Sequence, residues 1–139
     1  MPLIIGVLLG VVTGLIGSVG GFDRDRAFYP TVTIVVASYY ALFAVMGASM
    51  HALVLEVLVG SVFVAAAIIG FRSSLWVVVA ALAVHGLSDF VHTRVISNPG
   101  VPAWWPQFCA SIDIVLAAWL AWVLKRERLD PPRRSPALS

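Results

Sequence analysis

The sequence is dominated by uninterrupted apolar runs, and their lengths constrain the fold more than any motif does. They cover residues 3–21, 28–71, 75–96 and 103–124. A helix crossing the hydrocarbon core needs roughly 20 residues at 1.5 Å rise each. The second run, at 44 residues, is long enough for two passes. Its natural break is Met46-Gly47-Ala48-Ser49-Met50-His51, where small residues and a glycine gather. The expected fold is therefore all-α and integral to a membrane. It is a compact bundle of five transmembrane helices at approximately 3–21, 28–47, 51–70, 75–96 and 103–124, with four helices as the alternative. Residues 1–129 form this single domain, and 130–139 are expected to be a disordered cytoplasmic tail.

Composition agrees. Hydrophobic residues make up 60% and charged residues 12%, against about 45–50% and 25% in soluble domains. A soluble enzyme, a disordered chain and a nucleic-acid binder are thereby excluded. With a single cysteine, Cys109, an intramolecular disulfide is excluded too. The first run has no Lys or Arg before it and continues to Gly21 without an A-x-A site. It is expected to be a retained transmembrane helix rather than a cleaved signal.

Charge placement favours five passes. Seven of the sixteen charged residues lie between Lys125 and Arg134, and four form Asp23-Arg24-Asp25-Arg26. With five passes, these segments and Arg72 share one side. The positive-inside rule then expects the N-terminus outside and the C-terminus cytoplasmic, in a cell membrane, the bacterial inner membrane. The loop Ser97-Asn98-Pro99-Gly100-Val101-Pro102-Ala103-Trp104-Trp105-Pro106 becomes external, its tryptophans at the interface.

Gly6, Gly10 and Gly14 recur every four residues in the first helix. That spacing lets two helix backbones approach closely where lipid supplies no hydrophobic drive. It suits packing against a neighbouring helix. It equally suits docking of a second copy or another membrane protein.

The strongest chemical signal is three carboxylates inside predicted spans, Glu56, Asp89 and Asp113, with no Lys or Arg beside them. A charge near the bilayer centre costs roughly 2.5–3.5 kcal/mol on insertion scales. Placed on their helices, the acids fall at similar depths, within about 5–6 Å of the midplane. His85, Asp89 and His92, at i, i+4 and i+7, share one helical face with Ser88 beside them. Imidazoles and carboxylates so arranged are ligands for a divalent metal, zinc or iron/manganese, and Glu56 and Asp113 complete the expected set. Tyr39 and Tyr40 at comparable depth, and His51 at the outer end of the third helix near the interface, are expected as accessory polar groups. Cys109, one turn from Asp113, is either a soft ligand or an inert buried thiol.

The stretch from His85-Gly86-Leu87-Ser88-Asp89 through Val101-Pro102-Ala103-Trp104-Trp105-Pro106-Gln107-Phe108-Cys109 resembles small bacterial multi-pass membrane proteins of uncharacterised function, which implies no activity. A more distant resemblance is to membrane hydrolases of the alkaline ceramidase type, which place transmembrane His, Asp and Ser around zinc. It implies metal-dependent catalysis on a lipid-like substrate, although those enzymes have more helices and more histidines. Three functions follow as expectations. The first is a cation site, catalytic in the hydrolase analogy. The second is translocation of protons or a small solute through cycling acids. The third is an accessory subunit docked through the helix 1 glycines.

Overall fold

In the computed structural model, which describes residues 1–129, five helices follow one another without any strand. They are α1 (Pro2–Val19), α2 (Phe28–Met46), α3 (Met50–Arg72), α4 (Leu75–Val95) and α5 (Trp105–Leu129). Each is long and apolar enough to cross a membrane. The chain is thus a five-helix, multi-pass membrane protein. The tail expected to be disordered, 130–139, lies outside the described residues.

Local chemistry sets the boundaries. The long apolar run breaks at 47–49, where Ala48 takes a left-handed backbone conformation with φ 51°. Ser49 then caps α3 by accepting the Ala52 amide at 3.2 Å. Ser74 caps α4 in the same way, accepting from Trp76. Pro2, Pro30 and Pro106 all sit in first turns, where a missing amide hydrogen costs nothing. α5 runs to Leu129, five residues past its expected end at 124. Its last turns, Lys-Arg-Glu-Arg-Leu, are strong helix formers that need no hydrocarbon around them.

The connections divide the bundle ends into two faces. The first carries residue 1, the 47–49 turn and the 96–104 loop; the second carries residues 20–27, Ser73, Ser74 and the end of α5. Arg24, Arg26, Arg72, Lys125 and Arg126 all cluster at the second face. There Arg26 fastens the loop to α3 by donating to the carbonyls of Gly70, Phe71 and Ser73 at 3.2–3.4 Å, a cation placed at a helix C-terminus.

In lateral order the helices pack α2–α3–α4–α5–α1. The acids lie inside, among a buried apolar core, and the outer surface is apolar, as a lipid solvent requires. Leu8, Val62 and Leu87 are each at least 60% exposed, whereas Glu56, Asp89 and Asp113 are at most 2% exposed. The glycine face of α1 lies against α5. A Cβ at Gly6 would overlap Ser111 and the Phe108 carbonyl, one at Gly10 would meet Val115 at 2.9 Å, and one at Gly14 would press on the Trp119 ring. The order Gly6–Ser111, Gly10–Val115, Gly14–Trp119 is that of two parallel helices in close backbone contact.

This contact predicts the effect of filling it. Gly6→Ala should destabilise the bundle by roughly 1–3 kcal/mol, since the Phe108 carbonyl is backbone and cannot swing aside. Reversible unfolding in detergent measures it. Leu8→Ala, on the lipid-exposed face, should shift stability by no more than about 0.5 kcal/mol. Equal effects would mean that α1 is not held by this face.

Candidate cation site

Four helices and one loop bring eight polar side chains into the half of the bundle nearest the first face. α4 supplies His85, Asp89 and His92 along one side, spaced by one turn each. α5 supplies Cys109 and Asp113, also one turn apart. α3 contributes Glu56, α2 contributes Tyr40, and Asn98 reaches in from the 96–104 loop. The approach of α4 to α5 depends on Gly86, where a Cβ would sit 2.9 Å from the Ala110 carbonyl and 3.1 Å from Asp113 Cβ. Its neighbour His85 thereby reaches α5 directly.

The side chains separate into two linked groups. In the first, His85 Nδ1 and Asp113 Oδ2 share a hydrogen bond of 2.7 Å, and Asp89 Oδ2 lies 3.9 Å from the same nitrogen. Cys109 Sγ stands 3.8 Å from Asp113 Oδ2. One ligand atom from each of His85, Asp89, Cys109 and Asp113 can be chosen so that all lie within 4.8 Å of one another, and all four residues are buried. In the second group, His92 Nε2 is 3.1 Å from Glu56 Oε2. Asn98 Nδ2 donates to Glu56 Oε1 at 2.9 Å and to the Tyr40 carbonyl at 3.0 Å.

Tyr40 joins the two groups. Its hydroxyl donates to Asp89 Oδ1 at 2.8 Å, while its ring stacks on His92 with centroids 3.8 Å apart. Phe63 meets the His85 ring edge-on at 4.8 Å. Between the groups lies a cavity of about 20 Å³ lined by Glu56, His92, His85, Asp89, Tyr40 and Ser88, among others. That volume is enough for one water molecule. Three buried polar atoms of the cluster find no partner: Asp89 Oδ2, Asp113 Oδ1 and His92 Nδ1.

The residues expected from the sequence are distributed unevenly over this geometry. All three acids are buried at the same end of the bundle. His92 and Glu56 pair directly with each other at 3.1 Å beside the cavity instead of joining His85, Asp89 and Asp113, and Cys109 stands where they were expected. Ser88 turns its hydroxyl to the His85 carbonyl at 2.7 Å, although it still borders the cavity. Tyr39 packs on Trp105 and Phe43, apart from the acids, and His51 is exposed in the first turn of α3. Two participants carried weak signals. Cys109 and Asp113 repeat on α5 the four-residue spacing of His85 and Asp89 on α4. Asn98 sits in a Ser-Asn-Pro-Gly sequence that reads as a surface turn.

Asn98 closes this end of the bundle. Gly100 behind it packs on Gly47 and so tightly against the Phe43 carbonyl that a side chain would overlap it. Asn98→Ala leaves a buried Glu56 oxygen without its donor and removes the second donor to the Tyr40 carbonyl, at about 1–3 kcal/mol in total stability. The exposed neighbour Ser97→Ala should change stability by less than about 0.5 kcal/mol. Paired unfolding curves would show the difference, and equal curves would remove Asn98 from the network.

Compared with known proteins, the chain matches no family model, no curated protein and no solved structure, so the chemistry of this site rests on its own residues.

Proposed function

We propose that this is a bacterial inner-membrane protein that holds a divalent transition-metal ion between α4 and α5, with its basic second face in the cytoplasm. The observation that carries the reading is the set His85, Asp89, Cys109 and Asp113. It comprises two i, i+4 pairs on adjacent antiparallel helices, buried together, with two carboxylate oxygens lacking any partner. Tetrahedral bonds of 2.0–2.3 Å separate ligand atoms by about 3.3–3.8 Å. The 3.8 and 3.9 Å separations lie at the upper edge of this range, the His85–Asp113 pair would open from 2.7 Å, and the widest separations, within 4.8 Å, would close by up to about 1 Å on binding.

The donor chemistry narrows the ion. An imidazole, a thiol and two carboxylates favour zinc or ferrous iron over magnesium or calcium, which prefer oxygen alone. Four protein donors fill a tetrahedral shell, the pattern of a structural or carrier site, whereas catalytic zinc keeps one position open. The ceramidase-like expectation of lipid hydrolysis would require Cys109 to stay off the ion. His92 and Glu56 then border the cavity as acid–base groups rather than as ligands.

Elemental analysis of detergent-purified protein equilibrated with Zn²⁺ should give about one ion per chain. Asp113→Asn should weaken retention by at least the 10–100-fold that even a supporting hydrogen bond to a ligand contributes, and His51→Ala should leave it unchanged. Because the ligands bind metal in deprotonated form, acidification from about pH 7.5 to about pH 5 should release the ion. Folded wild-type protein that takes up no Zn²⁺ would sink the reading.

The water-sized cavity between two histidine–carboxylate pairs favours a second reading, proton exchange across the first-face half of the bundle. It expects metal-free protein to carry a proton flux in liposomes that Glu56→Gln abolishes. Unchanged flux in that variant removes it.

A further inference from the structure

A second feature lies at the opposite end of the molecule and is independent of the cation site. Where α1 ends, the single 3-10 turn Phe22–Arg24 and the last turns of α5 enclose a surface pocket of about 310 Å³. Ser18, Gly21, Asp23, Arg24, Trp122 and Arg126 are in its lining. The loop Asp23-Arg24-Asp25-Arg26 is formally neutral, yet its charges are not equally available. Asp23, at the pocket wall, has its carboxylate engaged by the hydroxyls of Ser18 and Tyr29, which donate to it, and Trp119 Nε1 donates to Ser18 at 3.1 Å. Asp25 accepts the Ala27 amide at 2.9 Å. Arg26 is spent on the α3 carbonyls.

Arg24 is left over. It is exposed and, among the described residues, makes neither a salt bridge nor a side-chain hydrogen bond, and the same holds for Arg126 across the pocket. The Arg126 guanidinium rests 5.3 Å above the Trp122 ring, and Trp122 itself is half exposed. Two guanidiniums without an acidic partner among the described residues, and an indole, stand at the end of transmembrane helices, at headgroup depth. Toward the bilayer interior, the face of α1 that carries Ser18 continues through the exposed Leu15 and Val7, an apolar track that would lie along acyl chains. A guanidinium fork matches phosphate oxygens, and the track below it selects a phosphate that carries chains over a free one.

We propose that this pocket binds the headgroup phosphate of an anionic phospholipid through Arg24 and Arg126, with Trp122 at the level of the glycerol backbone. Titration of the detergent-solubilised protein with phosphatidylglycerol, followed by native mass spectrometry, tests it. Wild type should bind phosphatidylglycerol more tightly than phosphatidylcholine. Arg24→Gln with Arg126→Gln should lower phosphatidylglycerol affinity about 30-fold, the effect of two interfacial cations. Arg72→Gln with Lys125→Gln removes the same charge from the same face and should stay within about threefold of wild type. Equal losses in the two double variants would mean a diffuse surface field, and the pocket would be discarded. Inorganic phosphate that competes at equal concentration would assign the pocket to a soluble anion and overturn the lipid. Should the double variant not fold, Arg24→Gln alone is expected to lose about fivefold, and no loss overturns the proposal.

Discussion

Everything in this fold depends on keeping three carboxylates in the interior of a bundle that has no Lys or Arg beside them. Lipid offers such groups no hydrogen bonds, so each must find its partner on another segment of the same chain. The partners are His85 on α4 for Asp113 on α5, Tyr40 on α2 for Asp89 on α4, and His92 on α4 with Asn98 in the loop for Glu56 on α3. The shortest contact of each acid comes from another segment, and the contacts within one helix, Cys109 to Asp113 and His85 to Asp89, are longer at 3.8 and 3.9 Å. The polar network therefore specifies which helices are neighbours and at what rotation, a task that hydrophobicity cannot perform among surfaces as apolar as lipid.

Small residues make that network reachable. Gly86 brings α4 close enough to α5 for an imidazole to touch a carboxylate, and the glycines of α1 bring it onto the far side of α5. α5 is thus a spine with two different faces: Cys109 and Asp113 toward α4, Ser111, Val115 and Trp119 toward α1. The parallel α1–α5 contact uses van der Waals packing and the α4–α5 contact uses polar chemistry. The glycine spacing on α1, which alone would suit an external partner, is filled within the chain.

The sequence made the spans legible because hydrocarbon thickness imposes a length, and because Gly47, Ser49 and Ser74 are chemically suited to ends. It also made legible that His85 and Asp89 share a face, since both lie on one helix with fixed periodicity. Pairing between helices was not legible. Whether Glu56 meets Asp113 or His92 depends on the rotation of α3 about its axis, which packing decides and hydropathy does not encode. Asn98 was hidden for a different reason. Turn chemistry explains Asn, Pro and Gly in a loop equally well whether the asparagine faces water or a buried glutamate. The extension of α5 past residue 124 was missed because a hydropathy boundary marks the edge of lipid, not the end of a helix.

The proposed cation would answer a need that hydrogen bonds alone leave open. A mid-membrane acid costs roughly 2.5–3.5 kcal/mol on insertion scales, whereas an interhelical hydrogen bond returns on average about 0.6 kcal/mol. Glu56 has two side-chain partners and still sits beside a His92 ring nitrogen with none. Asp89 and Asp113 each keep an oxygen without a partner, and that of Asp89 lies 3.9 Å from the imidazole nitrogen that the other oxygen of Asp113 engages. Protonating an acid lowers its charge but supplies a single hydrogen, which one oxygen carries. A divalent ion draws on several donors at once and offsets two negative charges in one place. The paired i, i+4 spacing on α4 and α5 presents its four donors from two helices only, so such an ion would cross-link the helices whose contact the other three segments rest upon.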